Sequence, residues 1–165
     1  MIRQATYEDI PELMEIFRCA RQIMRASGNM NQWNDSYPSE DIVREDISKG
    51  ECYVLCEQTS RILATMPFIP GPDPTYARIY DGKWLDDLPY HVIHRIAVRE
   101  PGHKAADRLL EWAFTQTDSI RIDTHKDNVI MHHIMQKHGF TRCGVIFLLS
   151  GAPREAFQKN QSALP

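Results

Sequence analysis

One stretch narrows the folds open to this chain more than any other. His91 to Val98 is densely apolar, with Val92, Ile93, Ile96, Ala97 and Val98 and little polar alternation. Such density suits a central strand covered on both faces. The turn Arg99-Glu100-Pro101-Gly102-His103-Lys104 follows, and then Ala106, Leu109, Leu110, Ala113 and Phe114 fall at helical spacing. Ile120, Ile122 and Thr124 alternate as a strand. Strand, helix and strand in this order predict a parallel unit with a right-handed crossover, so the chain is α/β.

The flanking segments extend that unit. Ile2 to Ala5 reads as a first strand, and Asp9 with Glu12 predicts a capping box with Pro11 in the permissive first turn. Ile10, Leu13, Met14, Phe17 and Met24 form the stripe of an amphipathic helix that Ser27-Gly28-Asn29 stops. Ser39 is the expected N-cap of a second helix that runs to Lys49 and closes at Gly50. Glu51 to Glu57 and Arg61 to Phe68 predict a hairpin. Ile69 to Pro89, rich in Pro, Gly and Asp, is too long for a bare connector and is expected to be a functional loop. Asp127 or Asn128 caps a further helix with Ile130, Met131, Ile134 and Met135 inward, and Gly139 ends it. Phe140 to Leu149 and Glu155 to Lys159 are the last strands. The order is β-α-α-β-β-β-α-β-α-β-β, without repeats or a linker, as a single domain over the 165 residues, 1–165.

Charge and composition remove whole classes of function. Lys+Arg 19 against Asp+Glu 22 leaves a formal charge of -3, which supplies no field for nucleic acid or an anionic membrane. No apolar run approaches the roughly 20 residues of a membrane span. The polar start, Met-Ile-Arg-Gln-Ala-Thr, reads as neither a signal nor a transit peptide, which makes the cytoplasm the default expectation. Cys19, Cys52, Cys56 and Cys143 form no C-x-x-C pair, and Cys52 and Cys56 share one strand face, where small buried hydrophobes sit. The seven histidines, at 91, 94, 103, 125, 132, 133 and 138, lack metal-ligand spacing, so no metal is expected.

The turn before the central helix is the first candidate site. A glycine lets backbone approach a ligand closely, and the first N–H groups of a helix favour an anion. Gly102 with Lys104 suits a phosphate or pyrophosphate; taken alone, the same residues also fit an ordinary turn with a solvated lysine.

The wider pattern decides between them. His94-Arg95-Ile96-Ala97-Val98, the Gly turn, and Leu109-Leu110-Glu111-Trp112-Ala113-Phe114 resemble the acetyl-CoA-binding core of the GNAT N-acetyltransferase superfamily. Asn128, Met131, Met135 and Gly139-Phe140 resemble its Asn-led helix ending in Gly-Phe, and the element order is also that family's. The resemblance covers nearly the whole chain. It implies a GNAT fold: a mixed central sheet splayed between its fourth and fifth strands, flanked by about four helices. It also implies acetyl-CoA as cosubstrate, its pantetheine arm in the splay against backbone of Ile96, Ala97 and Val98. The pyrophosphate would lie on the N–H groups of Gly102, His103, Lys104, Ala105 and Ala106, and Asn128 would face the cofactor.

The chain departs from the family's pattern at three positions. Pro101 replaces the leading Arg or Gln of the turn, Lys104 its middle Gly, and Met135 a Tyr that often protonates the leaving thiolate; Met cannot do so.

By resemblance to the arylalkylamine-acetylating branch, His94 is the candidate base, and an imidazole suits that work near neutral pH. A core histidine satisfied by backbone is its alternative. Asp123 is the rival base, unless it bonds a turn or pairs with Arg95 or Arg121. Trp33, Tyr76, Trp84 and Tyr90 fall in segments that the family uses for its acceptor pocket, or simply cover the core.

The expectation is an N-acetyltransferase in which a primary amine, small or a peptide N-terminus, attacks acetyl-CoA directly within a ternary complex. Backbone N–H groups would hold the developing oxyanion. No nucleic acid or membrane partner is expected, and a homodimer stays open. Pro101, Lys104 and Met135 motivate the alternative of a non-catalytic acyl-CoA sensor or degenerate relative, and the histidines a metalloprotein. Cofactor stabilisation without turnover would mark the sensor, and stabilisation by zinc alone the metalloprotein.

Overall fold

The computed structural model describes residues 1–161. Strand β1 (Ile2–Gln4) leads to helices α1 (Ile10–Ala26) and α2 (Glu40–Ser48), then to the hairpin of β2 (Cys52–Cys56) and β3 (Ile62–Pro70). After the long loop come β4 (His91–Ile93), β5 (Ala97–Val98), α3 (Ala105–Gln116), β6 (Ser119–Thr124), α4 (Val129–Lys137), β7 (Thr141–Phe147) and β8 (Pro153–Asn160). The sheet order is β1-β2-β3-β4-β6-β8-β7, with β5 paired to β3. Among the described residues only β4 and β6 run parallel, joined through α3 as the central apolar unit requires.

Periodicity explains the packing. Ile10, Leu13, Ile16, Phe17 and Ala20 of α1 are buried with Val43 and Ile47 of α2 against Cys52, Val54, Cys56 and Ala97 on one sheet face. Leu109, Leu110 and Ala113 of α3 and Met131 and Met135 of α4 cover the other face, over Leu55, Met66, Ile93 and Ile120. Burying each such Leu or Met contributes roughly 1.5–3 kcal/mol. The four helices thus sandwich the sheet, in accord with the GNAT architecture expected from sequence.

Several local expectations change. The fourth strand is not continuous from His91 to Val98. It breaks into β4 and β5 because Arg95 takes a left-handed conformation (φ 49), held by its guanidinium donating to Asp46 Oδ2 at 2.7 Å. Asp9 and Glu12 form no capping box. Asp9 caps back onto Thr6, whereas Glu12 Oε1 accepts from the Ile62 N–H at 3.0 Å and from Arg99 Nη2 at 2.6 Å, tying α1 to the sheet. Ile130 is exposed rather than inward, since α4 buries Met131 and Met135 one turn apart. Cys52, Cys56 and Cys143 are buried free thiols.

Candidate active site

The break in the fourth strand creates the site. β4 pairs with β6 only through His91↔Ile120 and Val92↔Arg121, after which β5 stays on β3 while β6 continues on β8. The sheet therefore parts between β5 and the Ile122–Thr124 end of β6, which is the splay expected between the fourth and fifth strands. A cavity of about 710 Å³ fills the gap, lined by Ile96 on one side and Ile122, Asp123 and Thr124 on the other.

Backbone alternation shows which peptide groups face it. Arg99 N–H donates to Leu63 O at 2.9 Å, and Val98 lies opposite Ala64. Hydrogen-bonded and non-hydrogen-bonded pairs alternate along an antiparallel ladder. The Ala97 peptide groups thus face β3, contrary to the cofactor contact expected of Ala97, and those of Val98 point away from β3 towards the gap. Ile96 borders the cavity itself.

The turn after β5 ends in an uncapped helix. Gly102 has φ +96 with open space where a side chain would stand, and Lys104, the N-cap of α3, is left-handed at φ 51 without a side-chain cap. The lysine thus tolerates a conformation that L residues enter at roughly 1–2 kcal/mol. Arg108 N–H closes the first helical bond on Lys104 O. The N–H groups of Ala105, Ala106 and Asp107 accordingly precede the helical ladder, and the positive end of the helix dipole lies behind them. Asp107, the one acidic side chain of that first turn, is engaged by His138 at 2.6 Å and Lys137 at 3.1 Å.

Asn128 lines the cavity at the start of α4. Its Oδ1 accepts from Met131 N–H at 3.0 Å, which caps the helix, and its Nδ2 donates to Gln32 Oε1 at 2.9 Å. Met135 is fully buried in the core and does not reach the cavity.

Ionisable groups converge near the middle of the cavity. His94 Nε2 lies 2.9 Å from Asp73 Oδ2, and its Nδ1 faces Asp123 Oδ2 at 3.9 Å. Asp123 Oδ2 accepts the Tyr76 hydroxyl at 2.6 Å. Burial alone would raise the Asp73 carboxyl, but hydrogen bonds from His94 and from both the N–H and hydroxyl of Thr75 outweigh it and bring its pKa down to about 2. An ionised Asp73 fixes the proton of a neutral His94 ring on Nε2 and leaves the Nδ1 lone pair towards Asp123. Burial and the Asp123 charge push the Tyr76 hydroxyl well above its ordinary value, so it remains a donor. The arrangement can take a proton from a group seated between Nδ1 and Asp123 and can hold a cation there.

The expected aromatic pocket is only partly realised. Trp33 lines the cavity, edge-on to Phe17 and Tyr37. Tyr76 acts from behind the wall through its hydroxyl, fully buried. Trp84 and Tyr90 lie outside the cavity. They sandwich the Arg121 guanidinium, 4.2 Å and 3.9 Å from their ring centroids, and so fasten the long loop to β6. Neither Arg95 nor Arg121 pairs with Asp123: the first is taken by Asp46, the second by those rings and the Asp86 carbonyl. Among the other histidines, His91 stacks on Phe68, and His132 lies 3.1 Å from Glu155. No group of three or more metal-binding side chains occurs among the described residues.

Asp73, Gln32 and Arg154 line the cavity without having been singled out in the sequence. Only Asp73 carried a local signal. Asp-Pro-Thr predicts an Asx-type turn, and Asp73 caps the short 3-10 helix Pro74–Tyr76.

No protein-family model and no curated protein sequence matches the chain. Solved structures do. An acetyltransferase of the GNAT family from Listeria monocytogenes, 18% identical, superposes with a TM-score of 0.71 over 97% of this chain and 94% of its own. An agmatine N-acetyltransferase, 14% identical, superposes with a TM-score of 0.66 over 97% and 98%. At such identities the likeness is one of fold. A GNAT-family acetyltransferase from Streptococcus agalactiae goes further, with 32% identity and a TM-score of 0.87 over 99% of this chain and 96% of its own. A sheet parted at its fourth strand, an uncapped helix beyond the Gly turn, and that likeness over the full length agree: the chain belongs to the GNAT family of acetyltransferases.

Proposed function

We propose that this protein transfers the acetyl group of acetyl-CoA to a primary amine, with His94 as base. The observation that carries the reading is the meeting, in one cavity, of an unpaired strand edge with an Asp73–His94–Asp123 cluster. The residues present fit acetyl-CoA. The outward peptide groups of Ile96 and Val98 would hold the pantetheine arm. The N–H groups from Gly102 to Ala106, Lys104 included, would hold the pyrophosphate. Asn128 would support this wall through its cap and its bond to Gln32.

Acetyl-CoA supplies an acyl group activated as a thioester. An amine acceptor arrives mostly as ammonium and must lose a proton before its lone pair can attack. Asp123 holds the ammonium, and His94 Nδ1 takes its proton. Asp73 keeps the ring oriented and stabilises the imidazolium, as a carboxylate does for a catalytic histidine. The N–C bond then forms as the C–S bond breaks, the attacking nitrogen gives its second proton to water, and no covalent enzyme intermediate forms. Since Met135 offers no proton, water or the protonated His94 returns one to the thiolate.

The experiment is a melting-temperature shift with acetyl-CoA, followed by an amine panel scored for released CoA thiol. Stabilisation together with thiol release on at least one amine is the expected result. Stabilisation without turnover on any amine would instead favour an acyl-CoA sensor. No helix is long and apolar enough to cross a membrane among the described residues. We place the reaction in the cytoplasm.

A further inference from the structure

Arg154 is a buried cation with no anion of its own among the described residues. It is 8% exposed and lines the cavity, yet among the described residues its guanidinium donates only to the carbonyls of Pro153 (2.9 Å) and Gln32 (3.3 Å). No described carboxylate forms an ion pair with it, although the other cavity arginine, Arg95, has Asp46 at 2.7 Å. Desolvating a guanidinium without a counter-charge is unfavourable, so an anion seated beside it is favoured. Burial accordingly lowers the pKa of Arg154, against the pull of the Asp123 charge.

The ladder fixes where this cation stands. Asp123 lies opposite Ala156 on β8, and Arg154 is two residues along the same strand, hence on the same sheet face and diagonal to Asp123. Diagonal neighbours stand about 7–8 Å apart, their Cβ atoms somewhat closer. The cavity therefore presents a carboxylate and a guanidinium side by side, one suited to an ammonium and the other to an anion. Leu148, Leu149 and Ala152 border the same space and offer apolar surface beside them.

We propose that the acceptor is an amino acid: its ammonium lies at Asp123 and His94, and its carboxylate is bound by Arg154. The inference rests on the acetyltransferase reading and narrows it, because a simple alkylamine or an internal peptide amine carries no carboxylate at that position. A guanidinium presents parallel N–H donors that match a carboxylate in its plane.

The test is a panel of L-amino acids, each paired with its own carboxamide, scored for CoA thiol release. The acid should exceed its amide in kcat/KM by roughly 10–100-fold, mainly through KM, which is the span of a charged hydrogen bond gained or lost. Arg154→Gln should cost the acid far more than the amide and so bring that ratio close to one, and Arg154→Lys should keep part of it. Amides used as well as acids, or an equal loss on both substrates in Arg154→Gln, would overturn the proposal. Should Arg154→Gln fail to fold, the wild-type ratio and Arg154→Lys decide. Should no amine be turned over, calorimetric binding to the CoA-loaded protein decides. Acid binding that Arg154→Gln abolishes would uphold the anion site while the transferase reading fails, and absence of acid binding would overturn the site.

Discussion

Asp73 carries a charge whose effects can be read apart from catalysis. Its folded pKa of about 2 lies below its ordinary 3.8, so the folded protein holds the ionised form more tightly than the unfolded chain does. A depressed carboxyl contributes stability above the unfolded pKa and loses it as the pH falls through the folded one. Asp73→Asn should therefore cost about 2 kcal/mol near pH 6. The gap from wild type should close between about pH 4 and pH 2, as measured by urea unfolding across that range. A gap independent of pH would mean that folding does not favour the ionised form of Asp73. Asp73 also shows why one part of the site escaped sequence reading. Asp123 stands on β6, where alternation fixes what it faces, and His94 directly follows β4 in the motif that carries the family resemblance. Asp73 reaches His94 from a loop 21 residues away, and nothing in local spacing encodes that contact. Trp84 and Tyr90 misled for the related reason that an aromatic in a loop fits a pocket or an arginine sandwich equally well by composition.

At the scale of elements, the decisive event is the parting of β5 from β6. The apolar run from His91 to Val98 correctly marked a central strand, and its periodicity contained no sign of the break. The break depends on Arg95, whose left-handed backbone is stabilised by Asp46 on a distant helix, a tertiary contact. The turn into α3 was more legible, because Gly102 is needed for its own φ of +96. Gly102→Val should fold, since beyond its chain neighbours no atom of the described residues lies within 4 Å of the added Cβ, with a strain of about 1–2 kcal/mol from the left-handed region. It should weaken acetyl-CoA binding, because a branched side chain then stands where phosphate meets backbone. Calorimetric titration checks this, and undiminished affinity in the folded variant would move the pyrophosphate elsewhere.

For the whole molecule, helix pairs cover opposite faces of the parted sheet, and in the proposed reading one half brings the cofactor edge while the other brings the acceptor side chains. Ile96 and Val98 belong to the first half, Asp123 and Arg154 to the second, and His94 stands at the junction. The central claim is that His94 works as the base at that junction. It is tested most directly by kcat/KM against pH for wild type and His94→Gln on one confirmed amine, with Asp123→Asn beside them. The account predicts a loss of roughly 10²–10⁴ in His94→Gln, disappearance of the acidic limb, and nearly unchanged acetyl-CoA affinity, because the cofactor is held by backbone. Near-wild-type turnover with the acidic limb intact in His94→Gln, and a large loss in Asp123→Asn alone, would contradict it and transfer the proton to the carboxylate.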